Sequence, residues 1–293
     1  MLSVLINNYN YARFLGECID SALSQDHPDF EVIVVDDGST DDSRAIIESY
    51  GDRIVAVLKE NGGQASSFNA GLAAARGDIL LLLDADDAFL PGKLAHVEAL
   101  YAAHDLEWCF DRVVTEPGTQ MPDTLRLSLI DKRDAMRLGG FPTLPVPTSG
   151  LSFRRRILEQ ILPMPVASGV VLSDNYLKFA AAYLGKGAIV ETPLTFQRLH
   201  DANRYTQTGR AKSLKPRIMI ATGLHLAHRY DGLNRMGRSL VAGGISGLPV
   251  GESWQEIGRC AQEGQALGWT RSNLTGLVLK KRLANMLRGG GVA

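Results

Sequence analysis

Four short apolar runs, at residues 2–7, 31–36, 54–58 and 79–83, are each followed within a few residues by a helix-like stretch. Runs of this length, rich in Val, Ile and Leu, read as strands buried on both faces. Strands alternating with helices at this spacing require right-handed crossovers, and so a mostly parallel sheet covered by helices on both sides. The helix predicted over 11–25 carries Phe14, Leu15, Cys18, Ile19, Ala22 and Leu23 on one stripe. Ser39-Thr40-Asp41-Asp42 offers hydroxyls and acids for the start of a second helix, which runs to about Tyr50. Asn61-Gly62-Gly63 breaks the chain before a helix over 65–75, and Pro91 opens another. Periodicity weakens over 108–200 and becomes helical beyond Tyr205. Helices are expected over 217–230, 254–267 and 274–287, with the glycines at 243–244 and 247–251 as a loop between the first two.

Composition narrows the class. With 45% hydrophobic and 22% charged residues the chain is an ordinary globular protein. Cys18, Cys109 and Cys260 are too far apart for a disulfide framework or a cysteine zinc site, which fits a reducing compartment. The N-terminal apolar run has no basic residues before it, and the run at 79–83 is far too short to span a bilayer. The expectation is therefore a cytoplasmic protein, or one peripheral at the cytoplasmic membrane face. Charge is unevenly spread. From Tyr205 onward 13 Lys plus Arg face 4 Asp plus Glu, a balance of +9 that leaves −10 for the first 204 residues. Arg271, Lys280, Lys281, Arg282 and Arg288 alternate with leucines. They suggest a basic helix that meets an anionic membrane, or one that packs on a second subunit or the rest of the chain.

Two acidic clusters stand at strand ends, where parallel sheets bind ligands. In Leu83-Asp84-Ala85-Asp86-Asp87, three carboxylates directly after a buried strand repel one another unless hydrogen bonds or a cation compensate. Mg²⁺ or Mn²⁺ suits them, since such ions take one or two carboxylates and fill their other positions with diphosphate oxygens and water. In Asp36-Asp37-Gly38-Ser39, a carboxylate can receive hydrogen bonds from a base or ribose, and Gly38 allows close backbone approach. Taken singly, either cluster also reads as a helix cap or turn.

Val4-Leu5-Ile6-Asn7-Asn8-Tyr9-Asn10, Asp36-Asp37-Gly38-Ser39, the stretch from Asn61-Gly62-Gly63-Gln64 to Asn69-Ala70-Gly71, and Leu83-Asp84-Ala85-Asp86-Asp87 resemble family 2 inverting glycosyltransferases in order and spacing. The resemblance implies a GT-A fold, an α/β Rossmann-like domain over 1–204 with a nucleotide-sugar half (1–107) and an acceptor half (108–204). A C-terminal helical extension would occupy 205–293. The implied reaction moves a sugar from a nucleotide diphosphate sugar, a UDP-sugar by default, to the hydroxyl of a carbohydrate or lipid-linked acceptor. It would serve cell-surface polysaccharide or glycoconjugate synthesis, with Mn²⁺ or Mg²⁺ as cofactor, no nucleic acid, and a homo-oligomer or membrane surface as further partner.

By the same resemblance Asn8, Tyr9, Asn10, Asp37, Gly38, Gln64, Asp84 and Ala85 would contact the nucleotide. Asp84, Asp86 and His200 would hold the metal, and Ser149, Gly150 and Arg198 would face the acceptor. Asp174, in Leu172-Ser173-Asp174-Asn175, would be the catalytic base. Three positions depart from the family pattern: Asn7 stands where many members have Pro, Phe68 where they have Arg, and Ser173 where they have Glu. The departures at Phe68 and Ser173 keep open a non-catalytic nucleotide-sugar-binding protein. A haloacid-dehalogenase-like phosphatase also places Asp-x-Asp after a strand, but leaves Asp36-Asp37 unexplained. A sugar nucleotidyltransferase would need a glycine-rich loop where Asn7–Tyr11 stands, and a processive synthase needs Arg before Trp269.

Overall fold

The computed structural model describes residues 1–119, 124–166, 172–201 and 209–289. They form two compact units: Met1–Arg133 with Thr143–Val166 and Leu177–Leu199, and the described residues of Asp134–Pro142, Ala167–Tyr176 and His200–Ala293.

The first unit opens with β1 (Leu2–Asn8), α1 (Ala12–Leu23), β2 (Phe30–Asp37), α2 (Ser43–Ser49), β3 (Val55–Lys59), α3 (Gly63–Ala74) and β4 (Ile79–Asp84). β1 lies between β2 and β4, and β3 flanks β2, all parallel. β1 and β4 are buried along their whole length apart from Asn7 and Asp84, as expected of strands covered on both faces. On α1, Leu15, Cys18, Ile19 and Ala22 are buried against Val4, Ile6, Leu81 and Leu83.

After β4 come β5 (Ala88–Phe89), α4 (Lys93–Ala103), β6 (Trp108–Val114), β7 (Leu127–Ile130), α5 (Arg133–Arg137), β8 (Leu151–Arg154), α6 (Arg155–Ile161), α7 (Asp174–Leu184) and β9 (Gly187–Phe196). The division between the units falls within α5 and α7. The sheet order is β3-β2-β1-β4-β8-β6-β9-β5, with β7 also on β9. Parallel pairing holds through β4. There β8 enters antiparallel to both β4 and β6, and from that point the sheet is mixed.

In the second unit the expected C-terminal helices are present as α8 (Gly209–Arg229), α10 (Val250–Glu263) and α11 (Arg271–Gly289). The expected loop at Gly243-Gly244 is instead helical, inside α9 (Asn234–Ser246). The reason is close helix packing. A Cβ on Gly237 would lie 2.5 Å from the Gly223 carbonyl oxygen, and one on Gly244 would lie 2.5 Å from that of Pro216. Glycine costs about 1 kcal/mol in a helix, but here it permits the backbone contact between α8 and α9. Ile220, Leu224, Val241, Ile245, Ile257, Trp269 and Leu274 form this unit's core. Among the described residues no helix is long and apolar enough to cross a membrane.

The parallel β6–β9 pair has a sharp steric limit. Gly187 is paired with Trp108, whose buried indole donates to the Gly185 carbonyl (2.9 Å) and stacks on Phe110 at 4.5 Å. A Cβ at residue 187 would lie 2.0 Å from the indole. Gly187→Ala is therefore expected to destabilise the protein by about 1–3 kcal/mol, measured as a lowered denaturation midpoint.

Candidate functional site

Topology brings the two acidic clusters to one edge. Across β1, Asn8 is in register with Asp36 on β2, and Asn7 with Asp84 on β4. With about 5 Å between neighbouring strands, the two acidic strand ends lie about 10 Å apart.

At the end of β2, Asp36 is fully buried and receives hydrogen bonds from Asn8 Nδ2 (2.8 Å), Arg44 Nε (3.0 Å) and the Ser39 amide (3.1 Å). Burial alone would raise its pKa. The hydrogen bonds from Ser39, Arg44 and Asn8 outweigh burial and hold the carboxyl below its ordinary value. Asp37 accepts from the Gly62 amide on Oδ1 (2.9 Å) and the Gly63 amide on Oδ2 (2.7 Å), and pairs with Lys59. It thereby fixes the loop that leads into α3, a negative charge at a helix start. Gly38 has φ +77°, and a Cβ there would lie 2.6 Å from the Asn61 amide nitrogen, so glycine is required.

Of the residues expected to cap α2, Asp41 accepts from the Ser43 amide at the start of that helix (3.1 Å), while Ser39 and Thr40 do other work. Ser39 Oγ accepts from Asn8 Nδ2 (3.1 Å) and the Asn10 amide (2.9 Å), while the Thr40 amide donates to Asn10 Oδ1 (2.7 Å). Asn10 takes a left-handed φ of 59°, and Asp42, at the start of α2, makes no side-chain cap. The loop after β1 is thus latched to the loop after β2. Asn8 and Asn10 are committed to this latch, and Tyr9 between them is exposed.

At the end of β4 the chain turns tightly. The Ala85 amide donates to the Asn7 carbonyl (3.1 Å) and the Asp87 amide to the Asp84 carbonyl (3.0 Å). Asp84 is half-buried, while Asp86 and Asp87 are buried. Asp87 accepts from Ser149 Oγ (2.5 Å) and the Arg198 amide (3.0 Å). Burial, reinforced by the charge of Asp86, pushes the Asp87 carboxyl up to about 7. Arg198 crosses this turn: Nε donates to the Asp86 carbonyl (3.2 Å), and its guanidinium pairs with Glu17 at 2.7 Å.

Ser149 is fully buried under the acidic turn. Its hydroxyl serves Asp87 and accepts from the Asp84 amide (3.1 Å), and its carbonyl accepts from Lys93 Nζ (2.9 Å). Lys93 is itself fully buried, paired with Asp111 at 2.8 Å and bonded to Thr195 Oγ1 at 2.6 Å. Thr195 in turn donates to Asp111 Oδ2 at 2.8 Å. Burial dominates both partners, raising the Asp111 carboxyl and lowering the Lys93 ammonium from their ordinary values. Gly150 lets this segment pass β6, because a Cβ there would lie 2.2 Å from the Asp111 carbonyl oxygen. Ser149 and Gly150, read from sequence as acceptor-facing, are thus packed beneath the acidic turn. Gln64 Nε2 is 3.5 Å from Thr148 Oγ1.

Sequence reasoning missed Lys93, Asp111 and Thr195. One signal was available: Asp111 interrupts the apolar run Trp108-Cys109-Phe110, and a charge within a buried strand requires a partner. Asn7 was noted only as a departure. Its amide nitrogen and oxygen are both buried without a hydrogen-bond partner among the described residues, beside Asp84. Asp174 opens α7 and His200 follows β9, and both belong to the second unit.

The donor set fits a hard divalent cation. Three carboxylates fall within four residues at one strand end, hard oxygen donors of the kind such ions take. Among the described residues no group of three or more His, Cys, Asp and Glu side chains forms an all-protein cage. A Mg²⁺-type site takes its remaining ligands from substrate and water.

Comparison with known proteins agrees with this geometry. Residues 3–162 match the model of Glycosyl transferase family 2. An uncharacterised glycosyltransferase of Nostoc sp. is 34% identical over 251 residues, covering 80% of this chain and 76% of that protein. GlyG of Streptococcus pneumoniae is 35% identical over 105 residues, 34% of each chain. Among solved structures, S. aureus TarS in complex with UDP-GlcNAc matches with TM-score 0.58 at 16% identity, over 97% of this chain and 92% of that one. The mannosyltransferase PcManGT of Pyrobaculum calidifontis, in complex with GDP-Man and Mn²⁺, matches with TM-score 0.55 at 17% identity, over 96% and 86%. These likenesses show the GT-A fold.

Asp111→Ala leaves the Lys93 ammonium buried without its carboxylate. It is expected to cost about 3–5 kcal/mol, more than the paired Asp111→Leu and Lys93→Met replacement, as measured by chemical denaturation. Asp36 stabilises the fold by the opposite logic to Asp87. Its folded-state pKa is depressed, so its contribution is complete above the unfolded carboxylate range and is lost as pH falls through the folded value. The gap in urea midpoint between the native protein and Asp36→Asn should be widest near neutrality and close below about pH 4.

Proposed function

The chain belongs to glycosyl transferase family 2 and is a glycosyltransferase, and from that premise we propose a metal-dependent, inverting transfer from a nucleotide diphosphate sugar to an acceptor hydroxyl. The observation that carries this reading is the shared edge of β2, β1 and β4, where Asp36-Asp37 and Asp84-Ala85-Asp86-Asp87 converge. Carboxylates gathered there suit the neutral, hydrogen-bonding end of a nucleotide on one side and a cation-bridged diphosphate on the other.

In this reading Asp37 receives the base. Its Oδ2, which accepts only the Gly63 amide among the hydrogen bonds described, keeps an acceptor position. Asn8, Tyr9, Asn10, Gly38, Gln64 and Ala85 shape the nucleotide pocket, and Asp84 assists near the ribose. Asp84 and Asp86, with His200, would hold Mn²⁺ or Mg²⁺, which when bound supplies Lewis-acid stabilisation of the departing diphosphate. Asp174 would take the proton of the acceptor hydroxyl as its oxygen bonds to the anomeric carbon and the bond to the diphosphate oxygen breaks. A single displacement of this kind inverts the anomeric centre.

Residues 1–204 are proposed as the catalytic domain and 205–293 as its extension. A UDP-sugar is the proposed donor, following the UDP-GlcNAc complex of the structural neighbour, and the GDP-Man complex of the other keeps guanine in the screen. A carbohydrate or lipid-linked acceptor in cell-surface glycan synthesis completes the proposal.

Donor hydrolysis across UDP-, GDP- and dTDP-sugars, with and without Mn²⁺, tests it directly. Turnover that ignores both the metal and every sugar nucleotide would sink it. Asp86→Ala should abolish Mn²⁺-dependent nucleotide binding by calorimetry. Asp174→Asn should keep that binding while transfer falls by about 10²–10⁴-fold; near-normal transfer by this variant would remove Asp174 from the mechanism.

A further inference from the structure

In the second unit, α11 faces its core with Leu274 and Val278, while Leu279, Leu283, Met286 and Leu287 are exposed. At 100° per residue these four fall on one stripe. Leu287 is 74% and Met286 69% accessible, and apolar side chains exposed side by side on one stripe, unlike singly scattered ones, mark an interaction surface. α10 continues the patch. Val250 and Trp254 are exposed one turn apart, and Trp254 shares with Ile257, Thr275, Gly276 and Leu279 an open groove of about 630 Å³.

Charge is arranged around this patch. α11 carries five basic residues and no acidic one. Lys280 stands on one flank of the stripe and Arg271, which lines the groove, on the other. Arg282 Nη2 donates to the Leu248 carbonyl (2.8 Å) and Ser253 Oγ (2.6 Å), pinning α11 to the start of α10. Lys281 lies 5.6 Å from the Phe141 ring. The side chain of Arg288 lies outside the described residues. The acids of α10 sit about half a turn round the helix from Trp254. There Glu252 is paired with Arg217, and Glu256 and Glu263 with Arg259.

We propose that this two-helix face seats the protein on an anionic lipid bilayer. Leucines and a tryptophan enter the acyl boundary, and Arg271 and Lys280 meet the headgroup phosphates. A nucleic acid would satisfy the basic flanks but not the leucine stripe. A second copy of the chain would satisfy the stripe but would bring the same excess of positive charge against itself. The proposal is independent of donor chemistry.

The chain provides its own reporter. Of its three tryptophans, Trp108 and Trp269 are buried and Trp254 is 54% exposed. Adding phosphatidylglycerol-containing vesicles should shift the fluorescence to the blue and carry the protein down on sedimentation. Phosphatidylcholine vesicles should do so at least tenfold more weakly, and added salt should reverse the effect. Leu283→Glu with Leu287→Glu, both on the exposed stripe, should lower binding at least tenfold without changing the thermal midpoint. Trp254→Phe should abolish the fluorescence shift while sedimentation persists. The inference is overturned by absence of shift and sedimentation on anionic vesicles, or by unchanged binding of the double variant. It is equally overturned by a solution dimer that the double variant dissociates, which would assign the face to a second copy.

Discussion

A lysine and an aspartate with almost no access to water lie beneath the acidic turn, and the form of that turn depends on them. Lys93 and Asp111 form an ion pair whose desolvation costs several kcal/mol per ion, so pairing by itself is weak grounds for stability. What distinguishes this pair is its surroundings. Nζ also reaches the Ser149 carbonyl and Thr195, and Thr195 returns a hydrogen bond to Asp111, so the charges are satisfied from several directions. Ser149 is held as a consequence, and its hydroxyl joins the Asp84 amide to the Asp87 carboxylate.

The turn is therefore a negative surface resting on a rigid polar support. Three consecutive strands, β2, β1 and β4, deliver carboxylates to one edge, and each cluster meets its charge differently. Asp36 is stabilised as an anion by three donors, and Asp37 is engaged by two amides and a lysine. Asp87 is buried beside Asp86 and is driven toward protonation. The charge of Asp36 is thus met by donors around it, whereas the pKa of Asp87 is raised by burial and by its acidic neighbour. Under the proposed function that asymmetry would serve a nucleotide diphosphate, whose base asks for hydrogen bonds and whose phosphates ask for positive charge.

Much of the fold could be read in advance because its signals are local. The strands at 2–7, 31–36, 54–58 and 79–83 were expected within a residue or two of where they stand, since continuous apolar runs between turn residues leave few alternatives. The acidic clusters were legible for the same reason, being adjacent in sequence. The helix at Asn234–Ser246 was not legible, because its glycines look like loop residues until α8 is present to fill the space beside them. Ser39 and Thr40 resembled a helix cap and instead latch the loop of Asn10, a partner 29 or 30 residues away.

Sequence by itself determined the alternation of strand and helix, the positions of the carboxylates at strand ends and the basic, leucine-rich character of the last helix. These follow from periodicity and from neighbours along the chain. Only tertiary structure decided which polar groups would meet in the dry interior. Lys93, Asp111, Ser149 and Thr195 come from four separate segments, and burial makes each indispensable to the others. A charge removed from water must find its counter-charge in space, and spacing along the chain does not reveal where that will be.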